Sequence, residues 1–95
     1  MTVKKNGKYY QQLKLIERQG LIKDLKLQMK FELQPSYKKN GKTIRAINYI
    51  ADFTYFDVNK GKTIIVDIKG YRTEVYKLKK KIFEYKYPDL EIKEV

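Results

Sequence analysis

From Ile44 to Lys69 the chain is dominated by β-branched and aromatic residues, and its one clear break is Asn59-Lys60-Gly61-Lys62. Such residues suit a pleated, half-buried surface, whereas Asn and Gly favour the backbone angles of tight turns. The segment therefore predicts a long strand from Ile44 to Val58, a turn, and a second central strand from Thr63 to Lys69 that Gly70 closes. A lone hairpin is marginal in water, so the rest of the chain has to cover this one.

The flanking segments supply that cover. Between Asn6 and Gln19, residues Tyr9, Leu13 and Ile16, and less regularly Tyr10 and Leu15, recur at helical spacing, and Gly20 is placed to stop the helix. Ile22 to Leu27 carries apolar residues with an ambiguous period. Met29, Phe31 and Leu33 alternate with Lys30 and Glu32, as in a strand that Pro35 ends or leaves at an edge. Lys38 to Lys42 contains Asn40-Gly41, a hairpin signal. Thr73 to Tyr87 returns to helical spacing, with Val75, Leu78, Ile82, Phe83 and Tyr85 as candidate inner positions, and Pro88 ends it. Leu90, Ile92 and Val95 suggest a short last strand. The expected fold class is α/β in the α+β sense. A mixed central sheet is flanked by helices in the order α-β-β-β-α-β, all in one domain over residues 1–95. The closing β-α-β unit puts one parallel pair into an otherwise antiparallel sheet.

Composition narrows the chemistry. The chain has no cysteine and no histidine. Disulfides, thiolate chemistry, Ser-His-Asp catalysis and the usual zinc ligands are excluded. A metal here must be held by oxygen, which points to Mg²⁺ or Mn²⁺. Apolar runs such as Ile64 to Val66 are too short to span a bilayer and no signal-peptide pattern opens the chain, so no membrane and a cytoplasmic location are expected. Lys and Arg number 22 against 11 Asp and Glu, for a formal net charge of +11. A small chain this basic attracts polyanions, nucleic acid first among them, and releases counterions on binding. The alternative is that the charge is the solvated surface of a Lys-rich chain.

Two acids interrupt the apolar strands: Asp52 in Tyr49-Ile50-Ala51-Asp52-Phe53, and Asp67 in Ile64-Ile65-Val66-Asp67-Ile68-Lys69-Gly70. A charge within a central strand is costly to bury unless it is paired or bound to a metal. Side chains alternate along a strand, so Asp67 and Lys69 share a face, and the hairpin brings Asp52 beside them. Two carboxylates in close approach call for a divalent cation, which can activate water for attack on a phosphate while the lysine orients that water. The same residues would also suit an ordinary salt bridge on a half-exposed sheet.

At these residues the chain resembles the PD-(D/E)xK nuclease superfamily, which includes type II restriction endonucleases, Holliday-junction resolvases and several phage nucleases. Asp52 and then Asp67-Ile68-Lys69 match its motif. The runs Leu27 to Pro35, Tyr49 to Phe53 and Val75 to Lys81 are similar to a small family of phage and prophage proteins regarded as PD-(D/E)xK-like. The resemblance covers the chain from about Lys8 to Val95. It implies a restriction-endonuclease-like core in which Asp52 and Asp67 are metal ligands, Ile68 contributes its backbone carbonyl, Lys69 is the catalytic lysine and Gln28 supports the site. It further implies a phage- or prophage-encoded product in a bacterial cytoplasm, Mg²⁺ or Mn²⁺ as cofactor, and DNA, double-stranded or branched, as substrate. In one respect the sequence departs from the pattern. Similar nucleases carry a Glu on the first helix, and Asn6 stands near that position, while the helix's one acid, Glu17, lies toward its other end. The resemblance also leads one to expect a further segment ahead of this helix.

The residues after the motif are basic. Arg72, Thr73, Lys77, Lys80 and Lys81 are candidate nucleic-acid contacts: the lysines and arginine for phosphates, and Thr73 as a helix cap beside amides that favour anions. These lysines equally fit the solvated face of an amphipathic helix. Tyrosines can stack bases, but core or half-buried sheet positions are expected for Tyr49, Tyr55, Tyr76 and Tyr85. The function expected from all this is metal-dependent endonucleolytic cleavage of DNA. The alternatives are a nucleic-acid-binding protein on the same fold that lacks the first-helix Glu, and an interaction protein for an acidic partner. A homodimer is expected for so small a domain.

Overall fold

The structure is a computed structural model that describes the backbone of residues 2–68 and 73–95, with side chains from residue 7 onward. The first helix, α1, spans Thr2–Arg18, starting earlier than the Asn6 read from the apolar period because nothing before Asn6 breaks a helix. It ends as expected at Gly20, whose φ is 80°. Gly20 N–H donates to Glu17 O at 3.0 Å and Leu21 N–H to Ile16 O at 3.3 Å. This reciprocal pair satisfies the last carbonyls of the helix and needs a left-handed residue at Gly20.

The ambiguous segment is a strand, β1 (Ile22–Leu27), and β2 (Lys30–Gln34) follows. The long strand expected from Ile44 to Val58 is three strands: β4 (Lys42–Ile44), β5 (Ile47–Ile50) and β6 (Phe53–Asp57). Asn40-Gly41 closes β3 (Tyr37–Lys39) onto β4 as a separate hairpin. The break before β6 has a local cause. Phe53 pairs with Val66, and Asp52 N–H also donates to Val66 O at 3.0 Å. Two residues stand against one there, as in a β-bulge, and the strand bends. Its partner bends at the same level, where Gln28 has φ 53°. Leu27 pairs with Phe53 and Lys30 with Ile50, so β1–β2 and β5–β6 run on as one kinked ribbon.

The main sheet has the order β1-β6-β7-β8, with β7 (Lys62–Asp67) at its centre and β8 (Glu91–Glu94) at its edge. β1, β6 and β7 pair antiparallel, and β7 pairs with β8 in parallel. The crossover between them is helix α2 (Glu74–Lys86), capped by Thr73, whose hydroxyl accepts Tyr76 N–H at 3.1 Å.

Alternation along β7 divides the core between the two faces. Ile64, Val66 and Ile68 join Leu13, Ile22, Phe53 and Tyr55 under α1. Ile65 joins Phe31, Leu33, Tyr49, Ala51 and Phe83 under α2. Helix α2 uses two of its five expected inner positions. Phe83 is fully buried and Ile82 half-buried, whereas Val75, Leu78 and Tyr85 are exposed, Tyr85 at 89 %. The face that packs runs through Tyr76, Phe83 and Tyr87. Phe83 meets the rings of Phe31, Tyr49 and Tyr87 at centroid distances of 5.1, 5.5 and 5.0 Å. The two tyrosine hydroxyls also find partners, Tyr76 on Glu94 at 2.6 Å and Tyr87 on the Glu32 carbonyl at 2.8 Å. Among the described residues no helix is long and apolar enough to cross a membrane.

Candidate functional site

The bulge before β6 and the end of β7 bring two acids to one place. Asp52 and Asp67 are 7 % and 8 % exposed, and both line a cleft of about 400 Å³ on the α2 side of the sheet. Asn48, Tyr49 and Ile50 of β5 form one wall. Thr73, Val75, Tyr76 and Lys79 of the α2 cap and first turns form the other.

Each acid is held by a specific donor. Asp52 Oδ2 accepts the Ile68 N–H at 2.7 Å. Because β6 begins one residue after Asp52, no backbone carbonyl continues the ladder there, and the carboxylate takes that role. Gln28 N–H holds the Asp52 carbonyl at 3.1 Å. Asp52 thus uses Oδ2 internally, and it makes no ion pair among the described residues. Asp67 Oδ2 accepts the Tyr49 hydroxyl at 2.8 Å. Burial, and then this bond to a carboxylate, push the Tyr49 hydroxyl well above its ordinary value, so it remains a donor.

Two carboxylates at an open cleft fit a hard cation such as Mg²⁺ that keeps several waters and draws further ligands from a substrate phosphate. Among the described residues no group of three or more acidic, histidine or cysteine side chains converges. Glu17 is engaged elsewhere, accepting Lys14 Nζ at 3.1 Å and the Leu25 N–H at 3.4 Å. The described inner residues of α1, Tyr9, Tyr10, Leu13 and Ile16, pack on the opposite face of the sheet.

Of the residues singled out from the sequence, Asp52, Asp67 and Thr73 line the cleft, and Ile68 is tied to it through its N–H. Gln28 reaches the site through its backbone, with an exposed side chain. Lys77, Lys80 and Lys81 line a different groove with Tyr76, Glu84 and Glu94. Lys80 pairs there with Glu94 at 3.2 Å, and Lys77 pairs with Glu74 at 3.4 Å. Lys69 and Arg72 lie outside the described residues, as does the Asn6 side chain. Lys79, the half-buried lysine that lines the cleft, belongs to the basic run read from the sequence but was not singled out there as a contact residue. Its signal was the spacing of three from Thr73 through Tyr76 to Lys79, which sets all three along one helix face. Tyr49 was read as core. It is core, and it is also the donor that orients Asp67.

No curated protein and no solved structure matches the chain. The sequence model of the family described as Protein of unknown function (DUF1064) matches residues 1–95, and the chain belongs to that family.

Proposed function

We propose that this chain is a Mg²⁺- or Mn²⁺-dependent endonuclease on a PD-(D/E)xK-like core, acting on DNA. The observation that carries the reading is that Asp52, in the bulge before β6, and Asp67, at the end of β7, are two buried carboxylates lining one cleft that a lysine also lines. Two carboxylates that open on one cleft can supply hard oxygen donors to a single divalent cation.

Asp52 and Asp67 supply hard oxygen donors, each held in place by the Ile68 N–H or the Tyr49 hydroxyl. When bound, the cation lowers the pKa of a water and stabilises charge on the phosphate. Lys79 meets a phosphate oxygen in the cleft with a charge-assisted hydrogen bond. The N-terminal turn of α2, capped by Thr73, presents its positive end on the same side. Lys69, from the resemblance, orients the attacking water.

A second reading is binding of DNA or RNA without cleavage on the same fold. It is favoured by the small acid set among the described residues and by the packing of α1 away from the cleft. Plasmid nicking in Mg²⁺ separates the two. The endonuclease reading expects nicking by wild type and none by Asp67→Asn. Tight, salt-sensitive DNA binding with no nicking by wild type overturns it in favour of the second.

A further inference from the structure

Strands β3 and β4 form a sheet of their own, and every residue from Pro35 to Arg45 is exposed. Packing therefore makes little demand on this segment, yet its composition is one-sided. No acid occurs between Glu32 and Asp52, while Lys38, Lys39, Lys42 and Arg45 all fall there. None of these four makes an ion pair among the described residues. The register adds a second observation. Lys39 lies directly across from Lys42, and Tyr37 across from Ile44. Opposed residues share a face, and residues two apart along a strand share it too, so one face carries both pairs. Like charges directly opposed destabilise a strand pair. The hairpin holds them together with Asn40 and Gly41 at φ 52° and 74°, the angles of a tight two-residue turn. A cation pair at the tip of an exposed ribbon, beside Tyr37 at 47 % and Ile44 at 37 % exposure, joins charge for phosphates to apolar surface for sugars and base edges.

We infer that the β3–β4 hairpin is a binding arm for double-stranded nucleic acid, entering a groove with Lys39 and Lys42 against the phosphates. The major groove of B-DNA is about 12 Å wide and admits a two-stranded ribbon. The arm continues directly into β5, whose Asn48, Tyr49 and Ile50 wall the Asp52–Asp67 cleft. At about 3.3 Å per residue, Lys42 is at most roughly 20 Å from Asn48 along the chain, so one duplex can reach both. This rests on the nucleic-acid half of the reading above and not on hydrolysis.

The test is equilibrium binding of a short labelled DNA duplex to the full chain across a salt series. Wild type is compared with Lys39→Gln/Lys42→Gln, and with Lys26→Gln/Lys60→Gln as a control of equal charge change outside arm and cleft. The arm variant should lose about tenfold or more in affinity, and its salt slope should shallow by about 1.8, at roughly 0.9 per phosphate contact. Its thermal midpoint should hold or rise, because the opposed charges are gone. Equal losses in the arm and control variants would show that affinity follows net charge alone and would overturn the arm. Tighter binding of wild type to polyglutamate than to duplex would overturn it in favour of an acidic protein partner. If wild type does not bind duplex at all, both the arm and the nucleic-acid reading fall, whereas duplex binding without nicking removes hydrolysis alone.

Discussion

The Asp52 carboxylate accepts the Ile68 N–H at 2.7 Å, standing in for the carbonyl that a continuous strand would have placed there. The bond gives Asp52 a structural duty beside its proposed metal duty, and two substitutions separate them. Asn keeps an acceptor and removes the charge. Ala leaves a buried N–H on Ile68, which is 1 % exposed, without a partner. Asp52→Ala should cost about 1–3 kcal/mol of stability. Asp52→Asn should cost much less while abolishing Mn²⁺ binding. Urea denaturation and metal titration of both variants check this.

Tyr49 positions Asp67 through a buried hydroxyl at 2.8 Å. Tyr49→Phe keeps the ring contacts with Phe83 and Tyr76 and removes only that donor. Stability should fall by about 1.5–3 kcal/mol, as for a hydrogen bond to a charged group. Cation affinity should fall roughly tenfold or more, as when the partner of a metal ligand is lost. A variant that loses stability with unchanged cation affinity would mean that Asp67 is not a ligand.

Lys79 and Lys80 are adjacent in sequence and opposite in expected effect. Lys79 lines the cleft, while Lys80 is paired with Glu94 at 3.2 Å. Lys79→Gln should lower kcat/KM for cleavage about tenfold or more with little change in thermal midpoint. Lys80→Gln should lower stability by about 1 kcal/mol and leave cleavage close to wild type. Steady-state kinetics and thermal melts on the same samples compare them.

Stability should fall off at both ends of the pH range. Lys14, with the Leu25 N–H, holds Glu17 below its ordinary 4.5, and Lys62 does the same for Glu91. Folded values below unfolded ones add stability that is complete above about pH 4.5 and is lost as pH falls through the folded values. Tyr49 and Tyr55 shift the other way. Burial raises both, Tyr55 to about 12 from 10.0. Their contribution is complete below pH 10 and is lost as pH rises through the folded values. Urea midpoints against pH should show this plateau, and Lys62→Gln should soften its acid edge.

Much of this was legible in the sequence. The period of α1 with its stop at Gly20, the Asn40-Gly41 hairpin, the Thr73 cap and the parallel β7–β8 pair all follow from local rules. The break at Ala51-Asp52 was not legible, because a bulge depends on what the opposite strand offers, here the Val66 carbonyl. Nor was all of the inner face of α2. Ile82 and Phe83 were read correctly as inner, but Val75, Leu78 and Tyr85 are exposed, and Tyr76 and Tyr87 complete the packed face. The choice fell to partners far along the chain, Glu94 and the Glu32 carbonyl. That Asp52 and Asp67 come to one cleft was readable from the hairpin, but the place of Lys79 in its lining depended on how α2 sits over the sheet.

The most direct test of the central claim is calorimetric titration of Mn²⁺ into wild type, Asp52→Asn and Asp67→Asn, with folding confirmed for each by thermal melt. A shared carboxylate site predicts saturable binding to wild type that is lost in both folded variants. Absence of binding to folded wild type, or full binding in either variant, would contradict it and leave Asp52 and Asp67 as structural acids.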